Sequence, residues 1–154
     1  MSNQLFIFTA GSTQAYQHYI KTIEEGFNLD SIKQFIDGDL YQKINNYYAN
    51  KRIRAWGATP GRGNKNTWSK MSEGDKVLIY RNKTYEYFAS VTFKFQNSEM
   101  AKHLWRIDKK GQTWEYIYLL DSLTKISIPI ESFNSIFSFK RACLKKQQLY
   151  YQQN

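Results

Sequence analysis

Cysteine is almost missing from this chain: one, Cys143, in 154 residues. That excludes a disulfide scaffold and a cysteine-based zinc site. Histidine is nearly as scarce, His18 and His103 being the two present, so no metal centre is expected. Proline numbers 2 and glycine 8, too few for a collagen-like or disordered chain. Apolar runs stop far short of the roughly 20 residues that cross a bilayer. The opening stretch MSNQLFIFTAG also lacks the basic n-region of a secretory signal. No membrane partner is expected, and the chain is read as cytoplasmic. Acidic residues are the last shortage: 13 stand against 22 Lys and Arg, a formal charge of +9.

Aromatic residues are plentiful: 12 Tyr, 10 Phe and 4 Trp, 17% of the chain. Cations neutralise phosphates and flat rings stack on bases, so this composition favours a nucleic-acid partner. The competing reading is a β core filled with aromatics and a charge that serves solubility. Where the rings fall along the chain has to decide.

Leu5, Phe6, Ile7, Phe8 and Thr9 read as a buried strand. Tyr16, Tyr19, Ile20 and Ile23 follow at helical spacing, with Gly26 as the stop. Asp30 opens a second helical stretch through Ile32, Phe35 and Ile36, which Gly38 interrupts; Leu40, Ile44, Tyr47 and Tyr48 then continue the helical period. From Lys51 the texture changes to strands. They are expected at 51–57, 76–80, 85–95, 115–120 and 126–130, with Pro129 marking an edge or a strand end. Residues 59–66 are rich in turn formers and are expected to be irregular. Residues 97–104 read as a helical or irregular connection, 135–143 as strand or helix, and 145–154 as a helical or frayed polar tail. The expectation is one α+β domain over 1–154, with about six mostly antiparallel strands closing into a small barrel flanked by helices.

No catalytic constellation stands out. Cys143 has no base beside it in a local motif. Residues 57–63 lack the Gly-Lys-Ser/Thr ending of a phosphate-cradling loop. Glu115 and Asp121, six apart on a strand, are spread over about 20 Å and cannot share a metal ion with Asp108. A binding domain without cofactor is expected.

The informative segment runs from Arg54 to Trp68. Trp56 ends a strand and is followed by a glycine-rich basic loop, where the backbone at Gly57 can approach a ligand closely. Arg52, Arg54, Arg62 and Lys65 surround it as candidate phosphate ligands, and Asn64 can read a polar base edge. The alternative is a Trp that merely fills a sheet rim. Trp105 lies in a connection ahead of Lys109, Lys110 and Gly111. Two loop tryptophans could sandwich a base taken out of its stack, gaining about 1–3 kcal/mol per stacked face.

These residues resemble a known group. Trp56, Thr59, Gly63, Asn64 and Lys65, followed by Phe88 to Val91, Trp105, Lys110-Gly111 and Tyr116 to Asp121, resemble YTH domains, readers of N6-methyladenine. Asn64, Trp68, Met71 and the run from Gly74 to Tyr80 resemble EVE domains. Both belong to the PUA-like superfamily, and EVE-like domains occur as N-terminal specificity modules of McrBC-type restriction systems. The resemblance implies a reader of a methylated base in DNA, N6-methyladenine first and 5-methylcytosine second, by base flipping into an aromatic cage. A reader of modified RNA, or a PUA-like RNA-binding module, is the alternative it leaves. It implies Trp56 and Trp105 as cage walls, Gly57 facing the base, and Lys109 and Lys110 joining the phosphate-binding set. A third aromatic should fall at Lys109 or Lys110, where none stands; Tyr80, Tyr85 and Trp114 are the candidates. It also implies a module of a larger protein, with NTPase or nuclease activity on other domains or subunits.

Overall fold

The computed structural model describes residues 3–137 and 150–152. Strand β1 (Gln4–Thr9) leads into α1 (Thr13–Tyr19), whose start is capped by Ser12 Oγ accepting from the Ala15 amide at 3.1 Å. The helix runs on as a π-helical turn, Ile20–Glu25, and stops at Gly26, whose φ of 72° favours glycine. A Cβ there would also stand 2.8 Å from the Ile53 carbonyl. Then come β2 (Phe27–Asn28), a 3₁₀ stretch (Leu29–Phe35) and α2 (Gly38–Tyr47). Asp37 caps α2 by accepting from the Leu40 amide at 2.8 Å, so Gly38 begins a helix instead of interrupting one.

The second half is built on β3 (Arg52–Ala58), α3 (Arg62–Lys70), β4 (Lys76–Arg81), β5 (Thr84–Gln96), α4 (Ser98–Trp105), β6 (Tyr116–Pro129), α5 (Ile130–Phe137) and β7 (Tyr150–Gln152). The strands form one sheet in the order β2-β3-β6-β5-β4-β1-β7. Only β1 and β4 run parallel; the other described ladders are antiparallel. Among the described residues the sheet does not close into the expected barrel. Its hydrogen-bonded order ends at the two-residue β2 and the three-residue β7, and the register shifts in the β4–β5 and β5–β6 ladders bend it without joining these edges.

Strand alternation divides the core. Phe6, Phe8, Trp56, Val77, Ile79, Ala89, Val91, Tyr118 and Leu120 face α1 and its π turn, which contribute Tyr19 and Ile23. The opposite side of β3 and β6 (Ile53, Ala55, Ile117, Leu119) packs on Leu29, Ile32, Ile44, Met100, Leu104 and Trp105. Leu5, Ile7, Leu78 and Tyr85 meet Ile130 and Phe133 of α5. Strand β1 is therefore buried on both faces, which its unbroken apolar run requires.

Three expectations change. Residues 62–70, placed mostly in an irregular loop, are the helix α3. Its own sequence is a poor helix former, and tertiary contacts hold it. Trp68 Nε1 donates to the Ile117 carbonyl at 3.0 Å, and Lys94 Nζ donates to the carbonyls of Trp68 and Ser69 at 2.9 and 3.0 Å. The strands expected at 115–120 and 126–130 are one strand, β6, bent where Ser122 takes a φ of 52° and ending at Pro129. Residues 150–152 pair with β1 instead of forming a helical tail. Helix α5 covers the start of the 135–143 stretch; the rest of it, with Cys143, lies outside the described residues.

Candidate nucleic-acid interface

Three connections meet at one end of the sheet: the start of α1 after β1, the turn after β3, and the long loop between α4 and β6. Together they line an opening of about 780 Å³, walled by Ser12, Thr13, Gln14 and Gln17, by Thr59, and by residues 107–110 with Gln112. The walls combine uncharged polar groups, two lysines (Lys109 and Lys110), one carboxylate (Asp108) and the apolar side chain of Ile107. Arg62 and Lys65 are exposed on the first turns of α3, which starts three residues after Thr59.

Every wall segment continues directly into a packed group of rings. Gln17 precedes His18, Thr59 follows Trp56 and Gly57, Ile107 follows Trp105, and Gln112 precedes Trp114. Trp114 lies at the centre: its ring centroid is 4.8 Å from Trp56, 5.5 Å from Trp105 and 4.3 Å from His18. Trp56 and Trp105 are each 3% exposed, whereas Trp114 is only partly buried. Trp105 is fixed by its Nε1 donating to Thr22 Oγ1 at 3.2 Å. His18 is buried, and burial pulls its imidazole down to about 4, against a hydrogen bond to the Trp105 backbone that raises it; nearby Lys21 adds to the lowering. It is neutral at physiological pH, and its Nδ1 has no hydrogen-bond partner.

The sequence-derived residues are sorted by this geometry. Trp56 and Trp105 do meet at one cluster, but as parts of elements: Trp56 is within β3 and Trp105 is the last residue of α4. They do not face each other across a free slot: they belong to the cores on opposite sides of β3, each almost fully buried and each packed against Trp114. Gly57 is required there: a Cβ would stand 2.6 Å from the Trp114 carbonyl oxygen and 3.0 Å from Cζ3 of Trp105. Asn64 turns back on its own loop, donating to the Thr59 carbonyl at 3.0 Å. Tyr80 is not brought to the cluster. It packs on Tyr85, centroids 5.4 Å apart, with the residues under α5. Among the three candidates for a third ring, Trp114 is the one that joins Trp56 and Trp105.

The basic residues divide too. Lys109 and Lys110 line the opening, and Arg62 and Lys65 flank it. Arg52 and Arg54 begin β3, about 20 Å from Thr59 by strand rise. Arg54 is committed elsewhere: its Nε donates to the Ile23 carbonyl at 2.8 Å, tying the π turn to the sheet. Asp108, Glu115 and Asp121 do not converge, and among the described residues no group of three or more His, Cys, Asp or Glu could hold a metal ion. His18, Thr22, Gln14 and Gln17 had no signal in the sequence beyond lying on the polar or buried face of a helix.

The chain is thus an α+β domain of one mixed sheet, with its opening where three connections converge. No family model and no curated protein matches the chain. Among solved structures, it is similar to the N-terminal domain of Thermococcus gammatolerans McrB bound to m5C DNA, with a TM-score of 0.66 and 20% identity over 90% of this chain and 84% of that one. The likeness establishes the fold. The α+β PUA-like class expected from the sequence is therefore borne out, short of barrel closure.

Proposed function

We propose that this chain is a reader of a modified base in DNA. It takes the base, flipped from the duplex, into the opening between α1, Thr59 and the 107–112 loop. The observation that carries this reading is the coincidence, at one end of the sheet, of an opening of mixed polar and apolar lining, a tryptophan cluster beneath the same three segments, and the cations of Lys109, Lys110, Arg62 and Lys65. Trp114, the partly buried ring of the cluster, supplies the stacking face once the base has entered. Trp56 and Trp105 hold it in place. Ser12, Thr13, Gln14, Gln17 and Thr59 offer donors and acceptors for the polar edge of a base. The lysines grip flanking phosphates and make binding fall with salt.

The structurally similar McrB domain is bound to m5C DNA, which supports proposing 5-methylcytosine ahead of N6-methyladenine. The chain acts without chemistry of its own, as a specificity module beside catalytic components on other domains or subunits. The test is fluorescence anisotropy with one duplex sequence carrying no modification, 5-methylcytosine or N6-methyladenine, with the matching modified RNA as a fourth ligand. The expected result is a preference of about tenfold or more for the 5-methylcytosine duplex, the scale of one or two well-placed contacts. Equal affinity for the three duplexes overturns the reading, and preference for the RNA moves it to the RNA-binding alternative.

A further inference from the structure

Three large hydrophobic side chains are exposed among the described residues: Tyr47, Ile107 and Ile136. Two have local explanations. Tyr47 donates its hydroxyl to Asp121 and packs edge-on against Phe93. Ile136 lies beside the apolar groove of α5, β1 and β4. Ile107 has neither. It is 54% exposed at the lip of the opening, flanked by Arg106, Asp108, Lys109 and Lys110.

The backbone around Ile107 is held firmly. Arg106 adopts a φ of 63°, a conformation that a non-glycine residue takes only when its surroundings impose it. Its carbonyl accepts from Thr113 Oγ1 at 2.8 Å, and its amide donates to the Lys102 carbonyl at 2.9 Å. On the other side, Asp108 Oδ1 accepts from the amides of Lys110 and Gln112 at 2.8 and 2.9 Å. The Asp108 amide donates to the Gln112 carbonyl at 2.8 Å, and Gly111 donates to the Asp108 carbonyl at 3.0 Å. Six bonds in and at the edge of the ten-residue loop therefore present an apolar, β-branched side chain outward, and a side chain so branched has little rotamer freedom left to lose.

We propose that Ile107 is a wedge that enters the base stack and occupies the gap left when the modified base turns into the opening. The inference rests on the reading above. Small apolar side chains are the type that proteins insert between base steps, where a duplex is unstacked. Cations on both sides of Ile107 would hold the two strands while it enters, and the loop's rigidity means that little entropy is lost at that moment. A wedge helps only where there is a stack to hold open. A wall of the base pocket would help whether or not the base is paired.

The experiment uses that difference. Wild type, Ile107→Ala and Ile107→Met are titrated with a 5-methylcytosine duplex and with the single strand carrying the same base. 2-Aminopurine beside the modified position reports unstacking. For Ile107→Ala the ratio of duplex to single-strand affinity drops about tenfold and the 2-aminopurine signal on the duplex weakens, while Ile107→Met, another wedge-type side chain, restores both. Equal losses on duplex and single strand, or no loss on either, overturn the wedge while leaving the reader intact. A wild-type protein that does not distinguish modified from unmodified duplex overturns the reader and the wedge together. Unfolding temperatures of the three proteins check that the exposed site leaves the fold unchanged.

Discussion

The Gly57→Ala variant tests the packing of the tryptophan cluster directly. The new Cβ would lie 2.6 Å from the Trp114 carbonyl oxygen, 3.0 Å from Cζ3 of Trp105 and 3.1 Å from Trp114 Cβ. An ordinary carbon–oxygen contact needs about 3.3 Å or more, so roughly 0.7 Å must be found. The nearest atom belongs to the backbone, so no rotamer change relieves the clash. Gly57 is not among the glycines with a positive φ, and its φ/ψ is open to alanine. The cost is therefore overpacking, about 1–3 kcal/mol, with the segment carrying Trp114 pushed away from β3. For a chain of this length that is a fall in Tm of about 3–10 °C. Urea unfolding followed by tryptophan fluorescence reads both the stability loss and the altered environment of Trp114. Gly38→Ala is the control of opposite sign. Nothing lies within 4 Å of its Cβ at the start of α2, so it should stabilise by about 0.4–1 kcal/mol. If Gly57→Ala unfolds within about 0.5 kcal/mol of wild type, the close approach of the Trp114 backbone to β3 is refuted.

Arg54→Ala should cost about 1–2 kcal/mol of stability, because it leaves the Ile23 carbonyl unpaired at the π turn, and should not change the salt dependence of DNA binding. Lys109→Ala and Lys110→Ala should do the reverse, each lowering the salt slope by about 1 with little effect on unfolding. An Arg54→Ala protein of wild-type stability with a reduced slope would show that the assignment is the wrong way round. His18 sets a pH dependence of known sign. Its imidazole takes a proton near 6.5 in the unfolded chain but is held to about 4 in the folded one, first by burial. The unfolded state thus binds more protons between those values, and stability falls as pH drops from about 6.5 towards 4 and is level above it. The loss over that range is about 2–3 kcal/mol. His18→Leu should flatten that part of the pH profile of urea unfolding; an unchanged slope refutes the burial argument.

The strands were legible as short runs rich in apolar and aromatic residues bounded by turn formers, unbroken in β1 and β4. The face alternation of β1, β4 and β5 follows from residues such as Phe6 and Phe8 against Leu5 and Ile7. Helix α3 was not legible, because Gly63, Asn64 and Asn66 read as turn formers. What holds it is an indole bond to a carbonyl 49 positions away, which no local pattern displays. Tyr80 was misplaced for a related reason. Its neighbours Ile79 and Arg81 point to the opposite face, and a single position along β4 decides which side of the sheet a ring joins.

The tryptophans carry the same lesson into the site. Trp56 and Trp105 drew attention because each stands beside a basic loop, but residue type and neighbouring charge do not say whether a ring at the end of an element points inward. That depends on Thr22, 83 positions from the indole it binds, and on His18 in the same buried turn of helix. With those partners in place, Trp56 and Trp105 have almost no free surface. A flat ligand therefore cannot stack on either without displacing Trp114. Trp114, which touches both, is only partly buried, belongs to the loop that also carries Ile107, Lys109 and Lys110, and rests its backbone on the bare face of Gly57. The element that would meet DNA is thus the α4–β6 loop as a unit, with the two buried indoles as its foundation.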